Sequence, residues 1–591
     1  MNIGTPTRLI AALALAGLSA TAQAAAPAPV SAESLCAFEG HRMNTAEAAR
    51  FLGQATFGPS TASIEELCHL GYNDWITAQF AIEHVPLNTN LYYLDHRSPA
   101  PVNGKLDQTH WVESFWRQAI GDGGQVGKDQ LRQRVAFALS EIFVVSFNSG
   151  AVTFKPRGMA DYYDKLGKYG LMNFRDLLKM VATHPMMGLY LSHLRNEKET
   201  PPNVAVQRVP DENFAREIMQ LFSIGLYKLD TNGERLLDAQ NNPIETYKHE
   251  DVEGLAKVFT GWSWGGGTNT ALRFYGDDDS VKPPDREIVP MQMYPYFHST
   301  SSKAFLTKTI PASNASNAGE TEMDQAIDEL FNHDNVGPFI GRQLIQRLVT
   351  SNPSPDYVRR VALAFNTPGD RGNMQTVIRA ILMDDEARLP NARTYKLREP
   401  IVRAANWARA FNAYSNSGNF RAYIADDPVA TFGQSPLRAP SVFNYFRPAY
   451  MPSSWTISHP ELVAPELQTT SELSVTGYLN ALEEMVRKGF GAPTYSTGGV
   501  YADHDITSQY VNEYALASEP DKLIRHVSIL LTNDTLPDTY RALIKARMQT
   551  IYFPALKSDN SNAAAVLMGV RNRVGLAIYM TMAAPEYLVQ K

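Results

Sequence analysis

The chain has only two cysteines in 591 residues, Cys36 and Cys68, so at most one intramolecular disulfide is available to it. It has no surplus of positive charge. The 54 Lys and Arg are outnumbered by 61 Asp and Glu, for a net charge of −7, which argues against a nucleic-acid partner. Past the first 24 residues no uncharged apolar run approaches the roughly 20 residues that a bilayer-spanning helix needs, which argues against a transmembrane anchor. Catalytic signatures are missing as well. There is no GxSxG elbow and no HExxH helix. The Gly121 to Lys128 stretch has Asp122 where a phosphate loop needs glycine and Asp129 where it needs a hydroxyl. The run Asp277-Asp278-Asp279 lacks the spacing of a calcium loop. The 13 histidines are scattered singly, so the motifs assign no metal ligands and no cofactor.

What is present begins with an export signal. Arg8 precedes an apolar run from Leu9 to Ala20, and Ala22-Gln23-Ala24 is the small-x-small pattern cut by signal peptidase. The expectation is a signal peptide over 1–24, a leader over 25–43, and a mature protein in the periplasm or secreted. Only one Arg precedes the run and no Cys follows the cleavage site, so general secretion is expected rather than a twin-arginine or lipoprotein route. In an oxidising compartment the Cys36 and Cys68 thiols are expected to bridge, stabilising the fold by roughly 3–4 kcal/mol through the closed loop.

Apolar residues recur at helical spacing in Lys128–Ser146, Ala46–Gln54, Phe174–Thr183, Asp211–Phe222, Val336–Val349, Tyr357–Phe365, Met374–Met383 and Ala563–Met582. One hairpin is predicted, Leu226–Asp230 with Glu234–Leu237 around Asn232-Gly233. Periodicity fades over 263–320, where Gly, Asn, Ser, Thr and Pro dominate, and this reads as an irregular surface insertion. Ser415 to Pro460 is irregular too, but its aromatics and prolines predict tight packing. The fold class is therefore mainly α: a large single helical domain over 44–591 with a small β-hairpin and long irregular insertions.

The helix Asp211–Phe222 is the most informative segment. Its start is acidic, as the helix dipole favours. Phe214, Ile218, Leu221 and Phe222 make a core face, and Glu212 and Arg216 form an i, i+4 surface pair. Glu217 borders the apolar stripe, so its carboxylate must find a partner or shift its pKa. This leaves it either as a structural hydrogen-bond hub or as a catalytic acid or base.

Several strings together resemble the bacterial domain-of-unknown-function 1800 family. They are Ala49-Arg50-Phe51-Leu52 with Ala55-Thr56-Phe57-Gly58, Glu212 to Glu217 with Leu221-Phe222, Asp251-Val252 with Thr260-Gly261-Trp262, Pro440 to Phe446, and Pro585-Glu586-Tyr587-Leu588. The resemblance implies export and a helical fold, with no established activity or catalytic set. It also implies an exported sulfatase-like protein, often encoded beside family members, as a partner. Two departures stand out. Many relatives carry Trp-His-Asn-His-Phe where this chain has Phe137 to Phe143, so no metal role carries over. Lys248 replaces a capping Thr before Asp251, and the capping box is expected to be absent.

Two function classes follow. The favoured one is an exported cell-envelope or secreted binding and assembly protein, acting with a partner protein or a surface polymer. The alternative is an extracytoplasmic hydrolase using paired carboxylates, with Glu217 and Asp251 as the acids. Asn213, Arg216, His298, Trp262 and Asn444 are the candidate binding or orienting residues. A shared cavity lined by these side chains favours the enzyme, whereas dispersal among core hydrogen bonds favours the binder.

Overall fold

A computed structural model of the chain describes residues 31–591 apart from 39, 41–42, 102–103, 202–204, 277–284, 390, 392–394, 454–461, 496–500 and 553. The signal-peptide expectation over 1–24 and the acidic run 277–279 therefore lie outside the described residues. Among the described residues about half, 51%, are helical, in 24 helices, and the sheets have two or three strands. The mainly α expectation holds. A continuous apolar core takes in side chains from Ala32 to Tyr587.

Helices form where an apolar stripe meets a capping residue. In Thr45–Ala55, Asn44 Oδ1 accepts the Glu47 N–H at 2.9 Å and Glu47 Oε2 accepts the Asn44 N–H at 3.1 Å, a reciprocal cap. Asn173 and Asn373 cap Phe174–Thr183 and Met374–Met383, whose bounds match the periodicity. The Lys128–Ser146 pattern yields a shorter helix, Gln130–Ser140, because Ile142, Phe143, Val145 and Phe147 stay buried on non-helical backbone.

Cys36 and Cys68 are joined as a disulfide, with their Cα atoms 5.7 Å apart. Ala32 and Leu35 are buried beside it, and the Ala32 N–H donates to His526 Nδ1 at 2.9 Å. Part of the stretch expected to be a leader is thus packed against the helix Pro520–Thr532.

The predicted hairpin is a three-segment meander of isolated bridges: Leu229 to Arg235, Leu237 to Pro243 and Tyr227 to Glu245. Asp230 Oδ1 accepts the Asn232 and Glu234 N–H groups at 2.9 and 3.0 Å, and Gly233 takes φ +77°, so the turn chemistry is that of an Asx-supported Asn-Gly turn. In 263–320 the described residues are pinned down rather than loose. Trp262–Ser263 pairs with Gln292–Met293, Lys303–Phe305 pairs with Lys308–Ile310, and Phe274, Tyr294 and Phe297 form a small buried cluster. The second of these hairpins lies directly on the helix His249–Val258, where a Cβ at Gly254 would overlap the Ala304 carbonyl.

A three-stranded antiparallel sheet, with Tyr501–Thr507 between Tyr414–Ser415 and Phe490–Tyr495, was not anticipated by the periodicity. Near the other end, Val589–Gln590 pairs with Lys396–Leu397, and Gln590 Nε2 donates to the Leu348 carbonyl at 2.8 Å.

Candidate functional site

The helix Asn213–Gln220 starts later than its periodicity suggests, with Glu212 before it and Asp211 closing the turn that leads in. Asp211 Oδ1 accepts the Asn213 N–H at 2.8 Å, and Asp211 is itself held by Asn196 and Ser192. Phe214, Ile218, Met219 and Phe222 are fully buried, and Phe214 stacks on His193 at 3.7 Å. Arg216 Nη2 donates to Glu212 Oε2 at 3.0 Å, the predicted surface pair. Asn213 is exposed and offers only its backbone to this arrangement.

Glu217 is different. It is 8% exposed, and its Oε2 is buried without a hydrogen-bond partner among the described residues. Burial pushes its carboxyl above the usual range, and the Arg216 charge offsets only part of that. Tyr190 and Tyr247, both pushed up to about 12 chiefly by their own burial, have the Glu217 charge adding to the shift. Over the neighbouring Arg216 and Tyr247 an open groove of about 250 Å³ runs between the Asn213–Gln220 helix, the meander and the start of His249–Val258. Arg216, Tyr227, Tyr247, Lys248 and His249 line it. Glu212, His249 and Glu253 bring one possible ligand atom each within 4.8 Å of one another at its edge, but Arg216 already neutralises Glu212 and the other two are exposed.

Asp251 belongs to the backbone rather than to this groove. Its Oδ2 accepts the Lys248 N–H and its Oδ1 the Leu306 N–H, each at 2.7 Å, which clamps the helix start to the Lys303–Phe305 hairpin. The expectation that Lys248 abolishes the capping box is thereby corrected. Lysine cannot supply the hydroxyl half, but the carboxylate half needs only a backbone N–H, which every residue except proline has.

His298 and Trp262 are likewise interior. His298 Nε2 lies 2.8 Å from Glu322 Oε2 and its Nδ1 2.8 Å from the Thr260 carbonyl, while Lys303 Nζ reaches the same Glu322 oxygen at 2.8 Å. Burial alone would raise the Glu322 carboxyl, but the hydrogen bonds from His298 and Lys303 outweigh it and hold the group below its usual value. Trp262 is 5% exposed and donates its ring N–H to none of the described residues.

Asn444, 6% exposed, leads to a constellation that sequence reasoning missed. Its Nδ2 donates to Glu141 Oε1 at 3.1 Å. Glu141 shares a hydrogen bond with Glu399, and Glu399 accepts from Gln434 Nε2 at 2.9 Å. Lys396 Nζ lies 3.4 Å from Glu399 and 3.2 Å from Glu466, whose other oxygen accepts from Ser351 at 3.1 Å. Arg347 Nε approaches Glu141 at 3.9 Å, and Arg134 donates to the Arg347 carbonyl at 2.7 Å. Burial and the Glu399 charge push Glu141 well above the carboxylate range, whereas Lys396, the Glu141 hydrogen bond and Arg134 overcome burial and pull Glu399 below it. Glu141 thus holds the proton that the pair shares. The cavity beside them measures about 20 Å³, room for one water. These residues come from at least five separate stretches, and Asn444 alone carried a local signal.

A family model described as "Protein of unknown function (DUF1800)" matches residues 50–589. No curated protein and no solved structure matches.

Proposed function

We propose, for a chain that belongs to the DUF1800 family, a binding and assembly role: an exported cell-envelope or secreted protein that docks a partner protein or a surface polymer. The observation that carries this reading is the open groove of about 250 Å³ with two tyrosines, Arg216, Lys248, His249 and Glu245 on its walls, while the expected acid Asp251 is engaged elsewhere. Asp251 spends both oxygens on backbone amides. Glu141 faces a cavity too small for a substrate. Exposed aromatic and cationic side chains around a polar rim are the usual makings of a docking surface. The disulfide supports an oxidising compartment, and with it the export reading.

A hydrolytic reading keeps one observation, the unpartnered Glu217 oxygen. Its expected second acid, Asp251, is occupied, and the carboxylate that lines the groove is Glu245.

The test uses the mature protein with isolated envelope polymer and with the purified sulfatase-like protein encoded beside it, where one exists. Changing Tyr247→Ala together with Lys248→Ala should weaken sedimentation with one of them at least tenfold, about 1.4 kcal/mol, with the melting temperature nearly unchanged. Equal binding by this variant, or release of soluble fragments from the polymer that stops in Glu217→Gln, would reverse the ordering of the two readings.

A further inference from the structure

A second cleft, unrelated to the groove beside Glu217, opens at the edge of the three-stranded sheet. It measures about 230 Å³ and is bounded by Phe411, Asn412 and Tyr414 on one side and by Gln509 to Glu513 on the other. Asn412 and Tyr510 both take left-handed backbone, with φ +49° and +48°. For an aromatic residue that conformation is uncommon, and here it is imposed by the surroundings. Tyr510 is fixed by its hydroxyl, which accepts from Trp407 Nε1 and donates to the Val486 carbonyl, each at 3.0 Å. Its ring meets Phe411 at 5.5 Å. The walls of the cleft are therefore rigid, while Tyr414 and Gln509 stand outward at its rim, the amide donating to the phenol oxygen at 3.4 Å.

At its inner end lies Glu513, only 3% exposed. His526 Nε2 sits 2.8 Å from Glu513 Oε1, and His526 Nδ1 accepts the Ala32 N–H at 2.9 Å. Because Nδ1 is an acceptor, the ring proton sits on Nε2 and the imidazole reaches Glu513 as a neutral donor. Oε2 has no donor among the described residues, so a buried carboxylate is left with one hydrogen bond, that from His526. Such a group gains when a ligand brings hydroxyl donors to it.

We propose that this cleft is a binding site for an uncharged, polyhydroxylated ring, a single sugar unit of a longer chain. The lining supplies what such a ring needs. The exposed Tyr414 ring meets its C–H side, carboxamides at Asn412 and Gln509 offer paired donors and acceptors, and the free oxygen of Glu513 accepts a hydroxyl. No Lys or Arg lines the cleft, so a phosphate, a sulfate or a uronic acid would arrive without a counter-charge. The volume is below that of drug-sized pockets and suits roughly one ring, with the rest of the chain lying outside.

The experiment is ligand-observed NMR and calorimetry on the full exported chain. The probes are the trimers of glucose and of N-acetylglucosamine, glucose itself as a free monosaccharide, and spermidine as a cation that aromatics and a carboxylate could also hold. At least one neutral trimer should bind more tightly than the monosaccharide. Its affinity should fall at least tenfold in Tyr414→Ala and in Gln509→Ala, both rim changes that spare the core. The Tyr247→Ala, Lys248→Ala protein should keep it, which separates this site from the groove. No binding of any neutral trimer at about 10 mM, binding of the monosaccharide as tightly as the trimers, binding of spermidine alone, or trimer binding indifferent to both rim variants would each overturn the proposal.

Discussion

The cluster around Glu141 and Glu399 and the groove beside Glu217 both bury carboxylates, and they treat them in opposite ways. In the cluster, Glu141, Glu399 and Glu466 are matched by Lys396, Arg347 and Arg134, and the space left over measures about 20 Å³. Glu217 has a buried oxygen with no donor among the described residues, while its neighbours Arg216 and Tyr247 line about 250 Å³ of open space. Cations stand against the carboxylates of the cluster, whereas Glu217 has only the partly exposed Arg216 near it. A buried carboxylate set among cations identifies a structural joint, whereas one without a donor is a cost that the fold tolerates.

The largest effect expected from breaking this contrast is in the sealed region. Lys396→Met removes the cation shared by Glu399 and Glu466 and should lower unfolding free energy by about 3–5 kcal/mol. Chemical denaturation checks this, and a loss below about 1 kcal/mol would mean that the cluster admits water and behaves as a surface pair.

A smaller effect, of opposite sign, is expected for Glu217→Gln. Because the folded protein raises this pKa, ionisation near pH 7 costs the native state. Wild-type stability is full below the ordinary glutamate value and falls as pH rises through the raised one. Glutamine removes that cost, so the variant should be more stable by about 0.5–1 kcal/mol at pH 7, with the difference vanishing as pH drops toward the ordinary glutamate value. Melting curves at several pH values decide it. A loss of stability at pH 7 would place Glu217 in a compensated network like that of Glu399.

The smallest effect sharpens the sealed region itself. Glu141 carries the proton shared with Glu399, so Glu141→Gln keeps a neutral donor of nearly the same shape and should change stability by no more than about 0.5 kcal/mol. Wild type should lose stability as pH rises through the raised Glu141 value, and the variant should not. A loss of about 2–3 kcal/mol at pH 7 would show that Glu141 is ionised there instead.

Much of the fold was legible because its signals are local. Phe174–Thr183 and Met374–Met383 could be bounded from apolar spacing, and an Asn precedes each as cap. The Glu212–Arg216 pair and the position of Glu217 at the edge of its stripe follow from a helical wheel. That Glu217 lacks a partner does not, since that depends on what packs over it. Asp251 misled for a related reason: a backbone N–H is invisible in a side-chain motif, and Leu306 reaches it from 55 residues away. The Glu141 cluster was legible only in fragments. Asn444 stood out among aromatics, and the segment Phe137 to Phe143, where relatives carry histidines, contains Glu141. The remaining members stand singly in unremarkable stretches, joined only by tertiary folding.

The two ends of the described chain are each stitched to a distant stretch. Ala32 hangs on His526, and Gln590 reaches the carbonyls of Leu348 and Val349 beside the Lys396 strand. Translation at about 5–20 residues per second takes on the order of 30–120 s to traverse a chain of this length, and for nearly all of that time these closing contacts have no partner to form with. These two contacts therefore cannot form until His526 and Gln590 have been made, however much of the rest of the chain has already folded.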